Sequence, residues 1–332
     1  GFGFGFVLVA RSRGRRVRCV RGMGRAAQPH GEDFLEVALR LGPRELLESC
    51  LRSYTVLGVG DDALVEVVLP AAGNVGALAV TLNGSDVSSL FALRDNGRIM
   101  AQLTGFVIGN NALTARLGNG AAATVAIINH PNGGPVFSGP QPNPWRCSNA
   151  AKAINDACDQ PAEYSFLYKS TDPTQAGLLD YDPANPPGDV AMTTTDQGVT
   201  VPFIVRRENG YQLRDRYTIL ALFNPDAGWK PWAPQPQWNR KLLIPHGGSC
   251  GVTFTDGNPP LDDYSGTIPT TPGTEQSYVV ALGKGFAVAS TALDNLGHNC
   301  NVVTQAESLV MVKERLIEEY GELRYTLGTG CS

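Results

Sequence analysis

Two short stretches carry residue types suited to nucleophilic acyl chemistry. The sequence ends Arg324-Tyr325-Thr326-Leu327-Gly328-Thr329-Gly330-Cys331-Ser332. A short apolar run enters Gly-x-Ser, which is how a nucleophile elbow begins: a strand, a sharp turn held by small residues, and a serine at its tip. Small neighbours are needed because the nucleophile sits in a strained turn with close backbone contacts. The glycine that would complete the motif belongs two positions further on. The second stretch is His246-Gly247-Gly248-Ser249-Cys250, directly after the apolar run Leu242-Leu243-Ile244. Glycines let the backbone approach a substrate with no side chain in the way. Backbone N–H groups placed like this hold the oxyanion of a tetrahedral intermediate. Taken singly, the plainer readings are a strand-ending turn and a flexible glycine loop. Together, about 80 residues apart and in this order, they assign Ser332 as nucleophile and His246, Gly247 and Gly248 as the oxyanion region.

Other reactive residue types form weaker patterns. His298, in Asp294-Asn295-Leu296-Gly297-His298-Asn299-Cys300, follows a predicted strand and reads as a satisfied loop histidine beside the site. The four His are scattered, without the spacing of zinc ligands, so no metal is expected. Gly283-Lys284-Gly285 opens a strand rather than a helix, so it is not a phosphate loop, and no cofactor is expected. Seven cysteines are too few for a disulfide scaffold in a chain of 332 residues. Cys147 and Cys158 flank a short helical stretch and are candidates to pair, as are Cys250 and Cys300 just beyond two predicted core strands. Sequence alone leaves the connectivity open. Bridges of this kind would imply an oxidising compartment.

The elements that must position these residues change character along the chain. Residues 51–130 read as a small β-sandwich: apolar stretches at Ala63–Leu69, Leu78–Leu82, Ala112–Leu117 and Ala123–Ile128 are separated by Asn83-Gly84, Asp95-Asn96-Gly97-Arg98 and Gly118-Asn119-Gly120. Asn83-Gly84-Ser85 matches a glycosylation sequon but reads as a hairpin turn. Residues 131–198 are a Pro/Gly/Asn-rich bridge, long enough to pack over a neighbour or line a site, with Trp145 as an interface anchor. From 199 onward come strands at Val201–Arg207, Tyr217–Phe223, Lys241–Pro245 and Gly285–Ser290. A helix over Val303–Tyr320 follows, with Val303, Ala306, Leu309, Val310, Leu316, Ile317 and Tyr320 on one face. Arg324–Leu327 is the next strand. Strand–helix–strand predicts a parallel sheet.

Composition narrows the classes. With 42% apolar and 17% charged residues, 38 Gly and 23 Pro, the chain is globular and turn-rich. Residues 1–50 hold nine Arg and five acidic residues, a net +4, and the remainder holds 18 basic and 26 acidic residues, a net −8. An acidic body is a poor match to a phosphate backbone, so no nucleic-acid partner is expected. No run of 18 apolar residues exists, so no membrane span is expected. Residues 1–50 form an atypical basic leader, either an interaction arm or a stretch foreign to the native fold. Gly1–Ala10 is apolar, with seven Arg after it, the reverse of a secretory signal. Glu32–Leu51 has helical spacing interrupted by Pro43 and is given no function.

Several motifs resemble those of an uncharacterised bacterial family whose members join an N-terminal β-domain to an α/β-hydrolase domain akin to tannases and feruloyl esterases. They are Asp62-Ala63-Leu64-Val65-Glu66, Val80-Thr81-Leu82-Asn83-Gly84, Asn129-His130-Pro131, Gly134–Gln141, Pro202–Glu208 and Gly328–Ser332. The resemblance covers about residues 60–332. It implies an α/β-hydrolase fold over 199–332 with a truncated parallel sheet, Ser332 as nucleophile, and 246–248 as oxyanion loop. In that fold the triad order is Ser, Asp or Glu, then His, so His246 belongs to the loop rather than being the base. The catalytic Asp and His are expected beyond Ser332, and the chain as given is expected to be an inactive fragment. In the tannase-like group a Cys beside the nucleophile can bridge to one beside the catalytic His, and Cys331 matches the first position. The implied parent is a secreted or periplasmic bacterial serine esterase acting on a small-molecule or polymeric ester, with its oligomeric state open. The competing readings are a non-catalytic polymer- or surface-binding protein, or a remnant of a polyester depolymerase.

Overall fold

The computed structural model describes residues 55–59, 62–69, 74–118, 120, 122–141, 143–261, 275–295 and 297–330. The basic leader, the helical spacing of Glu32–Leu51, and Cys331 and Ser332 lie outside the described residues. The chain divides into two units, residues 1–131 with 231–233, and residues 132–230 with 234–332.

The first unit is built from two sheets. One has the order β1 (Thr55–Val59), β8 (Ala122–His130), β7 (Gly109–Leu117), β3 (Leu78–Leu82), β4 (Ser85–Asp86). The other has the order β2 (Asp62–Val67), β6 (Ile99–Thr104), β5 (Ala92–Leu93). Alternation makes the core: Leu113 and Ala115 on β7, and Val125 and Ile127 on β8, are buried together with Val65 and Leu103 from the second sheet. Each of the Leu, Val and Ile side chains contributes about 1.5–3 kcal/mol by leaving water. Asn83 and Gly84 lie at φ 52° and 87° and turn β3 into β4. The Asn83 side chain donates to Asn111 Oδ1 and accepts from the Ala112 N–H, each at 2.8 Å. Asn83-Gly84 is therefore a hairpin turn whose amide is committed at both ends.

The second unit centres on a seven-stranded sheet. Its order is β10 (Leu179–Tyr181), β9 (Glu163–Tyr168), β13 (Ile204–Gln212), β14 (Asp215–Leu222), β16 (Ala287–Thr291), β15 (Lys241–Pro245), β17 (Tyr325–Thr329). A separate pair joins β11 (Met192–Thr194) to β12 (Thr200–Pro202). Two α-helices occur among the described residues, α1 (Ser277–Gly283) and α2 (Val302–Tyr320). Asn301 starts α2 by accepting from the Val303 and Thr304 N–H groups. Gly321, at φ 114°, ends it.

This architecture corrects the expected fold class. The chain is mostly β-sheet, and its sheets are antiparallel or mixed rather than the parallel sheet with helices of an α/β hydrolase. In the large sheet only β15 pairs in parallel, with β16 and with β17, while β10, β9, β13, β14 and β16 run antiparallel in turn. The reason lies in the connections. β13 and β14 are joined by a two-residue turn at Leu213 and Arg214, both at positive φ, which forces an antiparallel hairpin. β14 runs to β15 without a helix between them. The Pro/Gly-rich stretch 131–198 also contributes strands, since β9 and β10 lie within it. Trp145 packs inside this unit: its Nε1–H donates to the Arg214 carbonyl, and the Arg214 guanidinium lies 4.5 Å over its ring.

Candidate active site

β16, β15 and β17 are parallel, so their C-terminal ends share one edge of the sheet. β15 lies between β16 and β17, and its apolar run, Leu242, Leu243 and Ile244, is buried. It delivers His246 and the glycines after it to that edge. β17 runs beside it, Ile244 opposite Gly328 and Pro245 opposite Thr329. The His246 N–H donates to the Thr329 carbonyl at 2.8 Å, extending the ladder by one residue. β16 ends in a short turn, Ala292–Asp294, capped by Thr291, whose Oγ1 accepts from the Asp294 N–H. That turn aims the Asp294 carboxylate back at β15.

His246 Nδ1 and Asp294 Oδ2 are 2.7 Å apart, the imidazole 35% exposed and the carboxylate 4%. The hydrogen bond to Asp294 raises the His246 pKa above its ordinary value, outweighing burial, which lowers it. Burial pushes the Asp294 carboxyl up, and the His246 contact opposes that. With Nδ1 committed to Asp294, Nε2 faces β17: a Cβ on Gly328 would stand 2.5 Å from it. Gly328 is thus what leaves room for the ring. Gly247 lies at φ 65°, and a Cβ there would stand 2.8 Å from Asn295 Oδ1. Both conformation and space require glycine.

The remaining sequence-predicted residues fall as follows. Gly248 continues the loop after Gly247, and Ser249 takes a left-handed φ of 71°. Cys250 is bonded to Cys300, and Cys147 to Cys158. Cys331 and the nucleophile candidate Ser332 lie outside the described residues. His298 is a held loop histidine: its Nε2 is 2.9 Å from the buried Asp215 carboxylate, and Thr253 Oγ1 lies beside its ring. Among the described residues no group of three or more His, Cys, Asp or Glu is gathered as a metal site. No helix among the described residues is long and apolar enough to cross a membrane.

Sequence reasoning missed Asp294 and Gly328. The signal for Asp294 was present, because an acidic residue stands just past a predicted buried strand. A carboxylate's partner across 48 residues cannot be read from spacing. Glu307 was missed for the same reason. Its carboxylate accepts from the Val136, Phe137 and Ser138 N–H groups, fastening part of the Gly134–Gln141 motif to α2.

Comparison with known proteins adds a family. The model of a tannase-like family of unknown function (DUF6351) matches residues 52–332. No curated protein matches. Among solved structures, the immunoglobulin domains 1–5 of Sidekick-1 align at 9% identity and a TM-score of 0.17, over 58% of this chain and 41% of that one. A likeness that slight carries no argument about fold or function.

Proposed function

The chain belongs to the tannase-like family, and from that premise we propose that it carries the nucleophile and the oxyanion loop of an esterase-type hydrolase. The observation that carries the reading is the loop at His246 and Gly247, fixed by Asp294 at the sheet edge where β17 ends, three residues before Ser332. A general base takes the Ser332 hydroxyl proton as Oγ attacks the ester carbonyl; that proton passes to the departing alcohol as the C–O bond breaks, and water, deprotonated by the same base, then cleaves the acyl-enzyme and returns the proton to Ser332. Negative charge develops on the carbonyl oxygen in each tetrahedral intermediate. The backbone of the Gly247–Gly248 turn answers that charge with N–H donors. His246 supports it: the contact with Asp294 at 2.7 Å holds the ring beside the turn, and that contact lets the ring keep its proton to higher pH than a free imidazole. The family name favours an ester substrate, and the disulfides favour an oxidising compartment.

The test is turnover of p-nitrophenyl acetate and methyl gallate by the full protein and by its Ser332→Ala variant. Loss of a nucleophile removes on the order of 10⁶ in kcat where a triad is complete, so turnover should vanish. Turnover that survives Ser332→Ala sinks the assignment.

A further inference from the structure

This inference rests on the ester-cleaving reading above. Glycine-rich turns are conformationally loose, yet oxyanion donors must be held to within about 0.5 Å to be effective. The 246–253 loop after β15 contains two left-handed residues, Gly247 and Ser249. Left alone, it would sample many positions. It is instead laid against the 294–300 segment between β16 and α2. His246 meets Asp294 at 2.7 Å at the start of the loop. Gly247 sits against Asn295, and Gly251 against the Gly297 carbonyl, both too close to admit a side chain. The Cys250–Cys300 disulfide joins the two segments covalently. Beyond it, Val252 bridges Asn299, and the Thr253 N–H donates to the His298 carbonyl at 3.1 Å. His298 in turn is tied to Asp215 of β14, so the supporting segment is itself anchored to the sheet.

We propose that Asp294 is a positioning residue, and that the Asp294–His246 contact and the Cys250–Cys300 bond are two fastenings of one clamp that fixes the Gly247–Gly248 turn for the ester's oxyanion. The fastenings bracket the turn, one at the residue before Gly247 and one two residues past Gly248. Each joins it to a segment that the fold already holds.

The decisive measurement is ¹⁵N relaxation at the Gly247 and Gly248 amides, in the full protein and in two variants, Asp294→Asn and the double variant Cys250→Ser/Cys300→Ser. Order parameters near 0.85 are expected in the unaltered protein, falling below about 0.6 in each variant, while Leu242–Ile244 of β15 stay rigid. Mobile glycines in the unaltered protein, or unchanged ones in both variants, would overturn the clamp. Should Asp294→Asn fail to fold, the cysteine double variant and His246→Gln decide the question. In parallel, kcat should fall at least tenfold with KM within twofold. If Ser332→Ala leaves turnover intact, the esterase reading falls while the relaxation result still judges the clamp. If Ser332→Ala abolishes turnover and the glycines stay rigid in both variants, the clamp alone falls.

Discussion

His246 keeps its proton to higher pH than a free imidazole because Asp294 accepts a hydrogen bond at Nδ1, and that single contact sets its electrostatics. The sign follows from linkage. A histidine whose folded pKa is raised contributes stability that is fully present below its unfolded value of about 6.5 and is lost as pH rises through the folded value. Asp294 moves up as well, through burial, so it gives up its charge earlier than an exposed aspartate as pH falls. The charged pair therefore occupies a window between the two raised values, and the contact weakens on the alkaline side as His246 deprotonates. The imidazole proton shifts of His246, followed across pH, should give a midpoint above about 6.5. In Asp294→Asn the hydrogen bond to a charged acceptor is gone and burial is left to lower the midpoint, so it should drop below the unaltered protein's. Identical midpoints in the two proteins would contradict the pairing.

At the scale of elements, the join between α2 and the sheet depends on one buried carboxylate. Glu208 on β13 is fully buried and accepts from Arg315 Nε at 3.0 Å, Tyr217 OH at 2.8 Å and Tyr320 OH at 3.0 Å. Arg206 on the same strand lies 4.6 Å over both the Phe223 and Tyr320 rings. Burial, with the Glu208 charge adding to it, drives the Tyr217 and Tyr320 phenols far above their ordinary pKa. They remain donors at any working pH. Removing one member of such a network strands the others in low dielectric, at a cost of about 3–5 kcal/mol. Glu208→Ala should lower the urea midpoint by that amount of stability with the slope unchanged, and a loss under about 1 kcal/mol would show that water or relaxation replaces the carboxylate. This network also marks where the sequence is legible and where it is not. The apolar periodicity of Val303–Tyr320 located α2 to within a residue, and the strand runs at Leu78–Leu82 and Lys241–Pro245 match β3 and β15. The sense of β13 against β14 was hidden. Hairpin turns announce themselves through Asn-Gly or Asp-Gly, but here the turn is Leu213-Arg214, at φ 54° and 72°. Tertiary contacts hold that conformation instead: Leu213 is fully buried, and its N–H donates to the Asn132 carbonyl at 2.8 Å. The His-Gly-Gly loop was legible because its requirement is local. Asp294, Glu208 and Glu307 were not, since each acts on residues far away along the chain.

For the whole molecule, the two units differ in what secures them. The first has its own apolar core between two sheets, and among its described residues it has no cysteine. The second holds a separate core around Leu220, Leu222, Leu282 and Val288, together with the Cys147–Cys158 and Cys250–Cys300 disulfides. Those bonds close loops of sequence separation 11 and 50. Restricting the unfolded chain in this way is worth about 3 and about 4 kcal/mol respectively in the chain-entropy account. Breaking either of these two bridges should therefore act on the second unit. Calorimetry of the oxidised protein should show two transitions, because a chain with two cores need not melt as one cooperative system. Under dithiothreitol the transition of the second unit should fall by about 10 °C or more, given that each kcal/mol moves a unit of that size by about 2–4 °C. In variants lacking either the Cys147–Cys158 or the Cys250–Cys300 bridge, the transition of the first unit should stay where it was. Cys147→Ser/Cys158→Ser should reproduce part of the shift without loosening the 246–253 loop, whereas Cys250→Ser/Cys300→Ser should reproduce part of it and also loosen that loop. A common shift of both transitions would mean that the units unfold together, and no shift would mean that the bridges constrain segments already ordered in the unfolded chain.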